Sequence, residues 1–292
     1  MTTPPETAVS IIITNWNTCE LLDGALDAVA LHAPPPDIET LVIDNGSTDG
    51  SPAMVGEKYP GVHLIRNTEN LGFARANNQG VALARGRHVL FLGSDTIVQP
   101  GTVQTLAGFL DAHPEAGAAS CRLMNPDRTP QMSCRRFPRL RDALATYLSL
   151  HWLAWRYTMK GFDFYRTQAV DQPAATCLMV RRRLLEELHG FNPRYSLLYN
   201  DVDLCERIRA RGWEIYYVAE TEIIHYGSMT TRSAPPGIRL EMYRNIIEYF
   251  RAHRGPIAQW MLTPVLAARL LLLTRSTIAL KLFRPAVEDG QG

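Results

Sequence analysis

The sequence predicts an α/β fold with a mostly parallel sheet flanked by helices. Apolar, β-branched runs of strand length recur four times between Val9 and Leu92. Each gap between them holds a helix-length segment with its own start and stop signals, the spacing of parallel strands joined by right-handed crossovers. A chain of 292 residues that is 46% hydrophobic has enough apolar surface for a sizeable core, as one large domain or two smaller ones.

Val9 to Ile13 is the first strand. Thr18 can cap a helix through Leu31, with Leu22, Leu26 and Val29 at helical spacing, and Pro34-Pro35-Pro36 ends it. Thr40 to Ile43 is the second strand. Ser51 is read as the N-cap of the next helix, with Pro52 in its first turn. Val62 to Ile65 is a short third strand, Phe73 to Ala84 a helix closed by Gly86, and His88 to Leu92 the fourth strand. Near the other end, Thr263-Pro264 reads as the start of a helical tail and Pro285 as its stop.

Composition excludes several classes. The formal charge of +1 gives no global basic field for nucleic acid. Met1 to Glu6 has neither the basic nor the apolar region of a signal peptide. Five scattered cysteines (Cys19, Cys121, Cys134, Cys177, Cys205) form no CxxC pair, which fits packing residues in a reducing cytoplasm and gives no zinc pattern. There is no GxGxxG after the first strand and no GxxxxGK[ST] loop, which weakens a dinucleotide or P-loop reading.

Two acidic signatures stand about a hundred residues apart. Leu92-Gly93-Ser94-Asp95-Thr96 follows the apolar Val89-Leu90-Phe91, and Asn200-Asp201-Val202-Asp203-Leu204-Cys205 comes later. A carboxylate just past a buried strand sits where α/β sheets bind ligands. Asn200 as N-cap with Asp203 at N3 also satisfies a capping pattern, so part of this polarity needs no catalysis. Asp44-Asn45-Gly46-Ser47 can be a ligand site at the end of the second strand, or a turn whose side chains bond their own backbone.

Together with Val42 to Ser51 and Asn70-Leu71-Gly72-Phe73-Ala74-Arg75-Ala76-Asn77-Asn78-Gln79-Gly80, these segments resemble a family 2 glycosyltransferase of the GT-A fold, rhamnosyltransferase-like members most. The resemblance covers residues 8–232 and lapses from Arg122 to Asp171. It implies a mixed, mostly parallel sheet in one catalytic domain, with residues 8–115 as the nucleotide-sugar half, 116–232 as the acceptor half, and 233–292 as a helical tail. By resemblance Thr14, Asn15, Asn17, Asp44 and Asn45 line the base and ribose pocket, Arg75 and Asn78 lie beside the nucleotide-sugar, and Ser94 and Asp95 meet the donor diphosphate. Asp95 is the implied ligand of Mg²⁺ or Mn²⁺, and Asp201 the implied general base of an inverting transfer.

Two positions depart from the family pattern. Gly93 stands where the first acid of a DxD-type triplet is usual, and Asn200 where a glutamate is usual. His225, after Ile223-Ile224, is either a structural residue or a second metal ligand that offsets Gly93. The implied substrates are a dTDP- or UDP-linked sugar, with rhamnose suggested, and a glycan or lipid-linked acceptor of a cell-surface polysaccharide. A nucleotidyltransferase and a non-catalytic sugar-nucleotide binder are the competing classes.

Two segments bear on the acceptor. Arg135-Arg136-Phe137-Pro138-Arg139 and the aromatics Tyr147, Trp152, Trp155, Tyr157, Phe162, Phe164 and Tyr165 either hold an acceptor or pack as a helical insert. From Arg251 to Arg284 there is no Asp or Glu, while Arg251, Arg254, Arg269, Arg275, Lys281 and Arg284 are basic. This tail is a poor membrane span because Arg269 and Arg275 interrupt it. It reads either as an interfacial helix with peripheral membrane contact, or as a helix packed on the catalytic domain or on the partner in a homodimer.

Overall fold

The computed structural model describes residues 8–34, 36–150, 157–159, 161–227, 236–274 and 282. Readings that fall on Met1 to Glu6, Pro35, Trp152, Trp155, Arg275, Lys281, Arg284 and Pro285 lie outside the described residues. In chain order the elements are β1 (Val9–Asn15), α1 (Cys19–His32), β2 (Ile38–Asp44), α2 (Ser51–Lys58), β3 (His63–Arg66), α3 (Phe73–Leu83), β4 (His88–Gly93), β5 (Thr96–Val98), α4 (Thr102–Ala112), β6 (Ala116–Met124), β7 (Cys134–Arg135), α5 (Leu140–Tyr147), β8 (Gln168–Ala169), β9 (Gln172–Pro173), β10 (Cys177–Arg181), α6 (Arg182–Glu187), α7 (Asn200–Ala210), β11 (Glu214–His225), α8 (Pro236–Arg254) and α9 (Pro256–Thr274). They fall into two compact units, residues 1–137, 159–193 and 200–228 in the first, and 138–158, 194–199 and 229–292 in the second.

The first unit is a three-layer α/β body. Its main sheet has the order β3-β2-β1-β4-β10-β6-β11-β5, with β8 also on β11, and β7 and β9 form a separate ribbon. β1, β2, β3 and β4 are parallel, and so are β6 and β11. β10 runs antiparallel between β4 and β6, which makes the sheet mixed. Strands covered on both faces need no polar alternation. Ile11 and Ile13 accordingly face a core built with Leu22 and Leu26 of α1, Val55 of α2 and Leu106 of α4. Ile12 faces the opposite core, with Ala76 of α3, Leu185 of α6 and Leu204 of α7. Truncating a buried isoleucine such as Ile12 to alanine costs about 2–5 kcal/mol.

Several local readings change on folding. The N-cap of α2 is Gly50, at φ +89°, and Ser51 is the first helical residue. Thr18 precedes α1 but makes no side-chain cap bond; the amide of Cys19 instead donates to Asp49 Oδ2 at 2.8 Å. Cys121, Cys134, Cys177 and Cys205 are buried, Cys19 is half-buried, and all five are free thiols. Phe162 packs edge-on against Phe164 and Tyr217, so these aromatics join the core, whereas Tyr165 stays exposed under the Arg122 guanidinium.

The second unit is helical. α8 and α9 pack together, and α5 lies on α9. Buried Asn245 accepts from the amides of Leu197 and Leu198, both at 2.9 Å, and so fixes residues 194–199 on α8. Leu262, Leu266 and Leu270 form the buried stripe of α9. Gly255, at φ +87°, and Pro256 start α9, and Pro264 lies inside it, which corrects the reading of Thr263-Pro264 as the helix start. A proline tolerates an interior position when its surroundings absorb the missing bond. Here Thr263 Oγ1 donates back to the Gln259 carbonyl at 2.8 Å.

Candidate active site

The carboxyl ends of β1, β2 and β4 lie side by side. Asn15 is in register with Asp44, and Thr14 with Gly93. A hydrogen-bonded chain crosses these ends. Thr18 Oγ1 donates to Asn15 Oδ1 at 2.6 Å, so it accepts from Ser94 Oγ at 2.9 Å. Asn15 Nδ2 donates to Asp44 Oδ1 at 3.0 Å and to Ser47 Oγ at 3.1 Å. Asp44 Oδ2 accepts the Ser47 amide at 3.0 Å, and only 2% of Asp44 is exposed. Asn17, at φ +53°, closes the loop by accepting the Thr48 amide at 2.8 Å. Thr14 Oγ1 is buried without a hydrogen-bond partner among the described residues.

The remaining candidates of the donor half are not brought to this row as free donors. The Asn45 amide is engaged by Asn70 Oδ1 and by the Leu71 amide, and holds the loop before α3. Gly46 makes this approach feasible: at φ +77°, a Cβ there would sit 2.9 Å from the Glu69 backbone. Asn78 clamps Phe191 from both sides, donating to its carbonyl and accepting from its amide, each at 2.8 Å. It packs so closely on Gly190 that a Cβ there would meet Asn78 Oδ1 at 2.3 Å. Arg75 is exposed on α3.

Asp95 and His225 do meet. β5 pairs antiparallel with β11, with Thr96 opposite His225, and the Tyr226 amide donates to the Asp95 carbonyl at 3.0 Å. His225 Nε2 lies 3.3 Å from Asp95 Oδ2. An imidazole nitrogen and a carboxylate oxygen suit a divalent cation, which takes its other ligands from water and phosphate. Among the described residues no group of three or more His, Cys, Asp or Glu side chains converges. Gly93 leaves room for this carboxylate: a Cβ at Gly93 would lie 2.8 Å from Asp95 Oδ1.

Asp201 occupies the first turn of α7. Burial pushes its carboxyl up from the ordinary 3.8, against the opposing hydrogen bonds from the amides of Val202 and Ala175 and the charge of Arg135. The next residue, Thr176, accepts the Gly93 amide through its carbonyl at 2.9 Å. Residues 175–176 therefore join the two acidic signatures. Asp203 pairs with Arg207 at 2.7 Å, and Arg207 in turn donates to the carbonyls of Leu188 and Gly190, both at 2.9 Å. Asn200 is buried, and its Oδ1 has no partner among the described residues. Sequence reasoning takes Thr18 only for a cap, Ser47 only as part of the Asp44–Ser47 segment and Arg135 only as part of a basic run beside an acceptor, and gives Thr176 and Gln131 no role. Gln131 and Arg135 lie where the resemblance lapses.

Residues 10–189 match the sequence profile described as glycosyl transferase family 2. The N-acetylglucosaminyl-diphospho-decaprenol L-rhamnosyltransferase of Mycobacterium tuberculosis is 28% identical, over 88% of this chain and 90% of its own. The rhamnosyltransferase WbbL of Escherichia coli is 26% identical, over 62% of this chain and 70% of its own. The fold matches the mannosyltransferase PcManGT of Pyrobaculum calidifontis, solved with GDP-Man and Mn²⁺, at TM-score 0.58 and 22% identity over 97% of this chain and 82% of that one. That solved structure shares the GT-A fold with this chain. The profile match spans well over half of the sequence, and the chain belongs to glycosyl transferase family 2.

Proposed function

We propose that this protein is an inverting, divalent-metal-dependent transferase. It moves a sugar, rhamnose by analogy with its named relatives, from a dTDP- or UDP-linked donor to a lipid-linked or glycan acceptor at the cytoplasmic face of the membrane. The observation that carries the reading is the half-buried carboxylate of Asp201, tied through residues 175–176 to the Gly93–Asp95 segment.

An inverting transfer is one displacement at the anomeric carbon and needs no enzyme nucleophile. Asp201 takes the acceptor hydroxyl proton; a carboxylate whose pKa is raised toward neutrality is a better base for this than an exposed one. Thr18, Ser47 and Ser94, backed by the buried Asn15 and Asp44, are the polar rim on which the nucleoside and diphosphate would settle. Arg75 is an exposed cation for the same donor. Asp95 and His225 would hold the cation, which when bound offsets charge on the departing diphosphate.

The test is a panel of UDP-, GDP- and dTDP-sugars in donor-hydrolysis and transfer assays, with and without Mn²⁺. Turnover of one donor only with metal supports the reading. Nucleotide binding with no turnover of any donor would leave a sugar-nucleotide binder.

The tail gives the second element. The exposed face of α9 carries Ile257, Trp260, Met261, Pro264, Ala268, Leu271 and Leu272 and no charge. The window from Pro256 to Leu273 has a mean hydropathy of 1.4 and is one-third buried. Arg269 is turned inward to the Tyr147 carbonyl. A helix buried on one side and apolar on the other suits an interfacial position on a bilayer rather than a span.

A further inference from the structure

We propose that Gln131 is a positioning residue that holds His225 in the tautomer whose Nε2 lone pair faces Asp95. The inference rests on the reading of Asp95 and His225 as the metal pair. It starts in the turn that follows β6. Residues 125–129 reverse the chain there: Met124 bridges Pro130, and the Gln131 amide donates to the Leu123 carbonyl at 2.7 Å. Gln131 is thereby returned beside the end of β11.

The donor and acceptor roles in this turn are set one after another. Asp127 carries only acceptors, so the Thr129 hydroxyl donates to its Oδ1, at 2.6 Å. Thr129 Oγ1 then accepts from Asn125 Nδ2 at 2.9 Å, which leaves Asn125 Oδ1 facing Gln131. Gln131 Nε2 donates to Asn125 Oδ1 and to the His225 backbone carbonyl, both at 2.7 Å. A carbonyl cannot donate, so the Gln131 amide has one orientation, with Oε1 toward the ring. His225 Nδ1 lies 2.7 Å from Oε1 and must carry a proton to bond it. In the neutral ring Nε2 is then a bare lone pair, 3.3 Å from Asp95 Oδ2. Two acceptors then face each other across a gap that a cation would fill. Ligating histidines generally need such a fixed partner on the second nitrogen, and its loss costs about 10–100-fold in metal affinity.

The first test uses the native protein without metal. Long-range ¹H–¹⁵N spectra at about pH 8, above the ordinary histidine range, report the tautomer, with the His225 signals assigned by their loss in His225→Ala. The Nδ1–H form is expected; the Nε2–H form would overturn the proposal. The second test titrates Mn²⁺ with inorganic pyrophosphate by electron paramagnetic resonance. Wild type should show ¹⁴N coupling from an imidazole. Gln131→Leu should lower Mn²⁺ affinity about 10–100-fold with an unchanged melting temperature. Gln131→Glu, which keeps an acceptor for Nδ1–H, should recover most of that loss. Wild-type affinity and ¹⁴N coupling in Gln131→Leu overturn the role of Gln131. If Gln131→Leu does not fold, the tautomer of the native protein decides alone: the Nδ1–H form supports the proposal, and the Nε2–H form overturns it. Absence of ¹⁴N coupling in wild type removes the metal reading itself, and the proposal with it.

Discussion

Gly93 and Asp201 are bound to consecutive residues of one segment. The Ala175 amide donates to the Asp201 carboxylate, and the Thr176 carbonyl accepts the Gly93 amide at 2.9 Å. This segment leads into β10, which runs antiparallel beside β4, so the ladder sets the spacing between the two signatures. Asp201 and the Gly93–Asp95 segment are thus tied together through backbone groups of residues 175–176.

Asp201→Asn should reduce transfer by a factor of about 10²–10⁴ and leave nucleotide binding nearly intact. Steady-state kinetics with calorimetry of the nucleoside diphosphate measures both. Turnover at the wild-type level in the folded variant would falsify the assignment of Asp201 as base.

The same substitution should raise stability near neutrality. The folded pKa of Asp201 lies above 3.8, so between that value and the folded one the native state binds more protons than the unfolded state. Stability then falls as pH rises through that window, a loss that an uncharged amide side chain does not incur. Melting temperatures of wild type and Asp201→Asn should differ in favour of the variant at about pH 7 and converge at about pH 3. Equal melting at both pH values would mean that Asp201 is not desolvated.

Arg135 offers a test of Asp201 through the pH dependence of activity. Its charge opposes the upward shift of Asp201, so Arg135→Gln should move the acid limb of kcat/KM to higher pH. A limb unmoved in the variant would show that Arg135 does not act on the base.

How much of this was legible depended on where each interaction sits in sequence. The four parallel strands and their flanking helices follow from apolar runs and turn residues, which are local signals. The meeting of Asp95 with His225 follows from β5, a three-residue strand too short to show a period, paired across more than a hundred residues. The resemblance assigns Asn45 and Asn78 to the donor site, and the structure adds protein partners for both. Their partners, Asn70, Leu71 and Phe191, are backbone or side-chain groups that no local pattern announces. Asn200 and Asp203 read as a capping pair; that Asp203 also meets Arg207 one helical turn ahead adds a tie to the loop carbonyls of Leu188 and Gly190.

Gly93→Ala should weaken Mn²⁺-dependent pyrophosphate binding with little change in melting temperature. The added Cβ would stand 2.8 Å from Asp95 Oδ1 and 3.2 Å from Thr96 Cγ2, and the carboxylate is the part that can swing away. Asp95→Ala should abolish the metal-dependent increment, while Asp44→Ala weakens nucleotide binding with or without Mn²⁺. If calorimetry finds Asp95→Ala indistinguishable from wild type in Mn²⁺, Asp95 is only a turn residue.

The last prediction concerns α9. Ile257, Trp260 and Leu272 are 73%, 78% and 79% exposed on one face of this helix. Each large apolar side chain moved from water into a bilayer interface gains up to about 1.5–3 kcal/mol. Each nearby cation adds about 1 kcal/mol on an anionic surface. The full-length protein should therefore co-sediment with anionic vesicles at low salt, and less with neutral ones. Trp260→Ser with Leu272→Ser should abolish this while sparing donor hydrolysis, and should reduce transfer to a lipid-linked acceptor more than to a soluble analogue. A chain cut before Pro256 should lose vesicle binding too. If the intact protein stays in the supernatant and runs as a dimer that the double variant splits, the face joins two copies and the membrane reading fails.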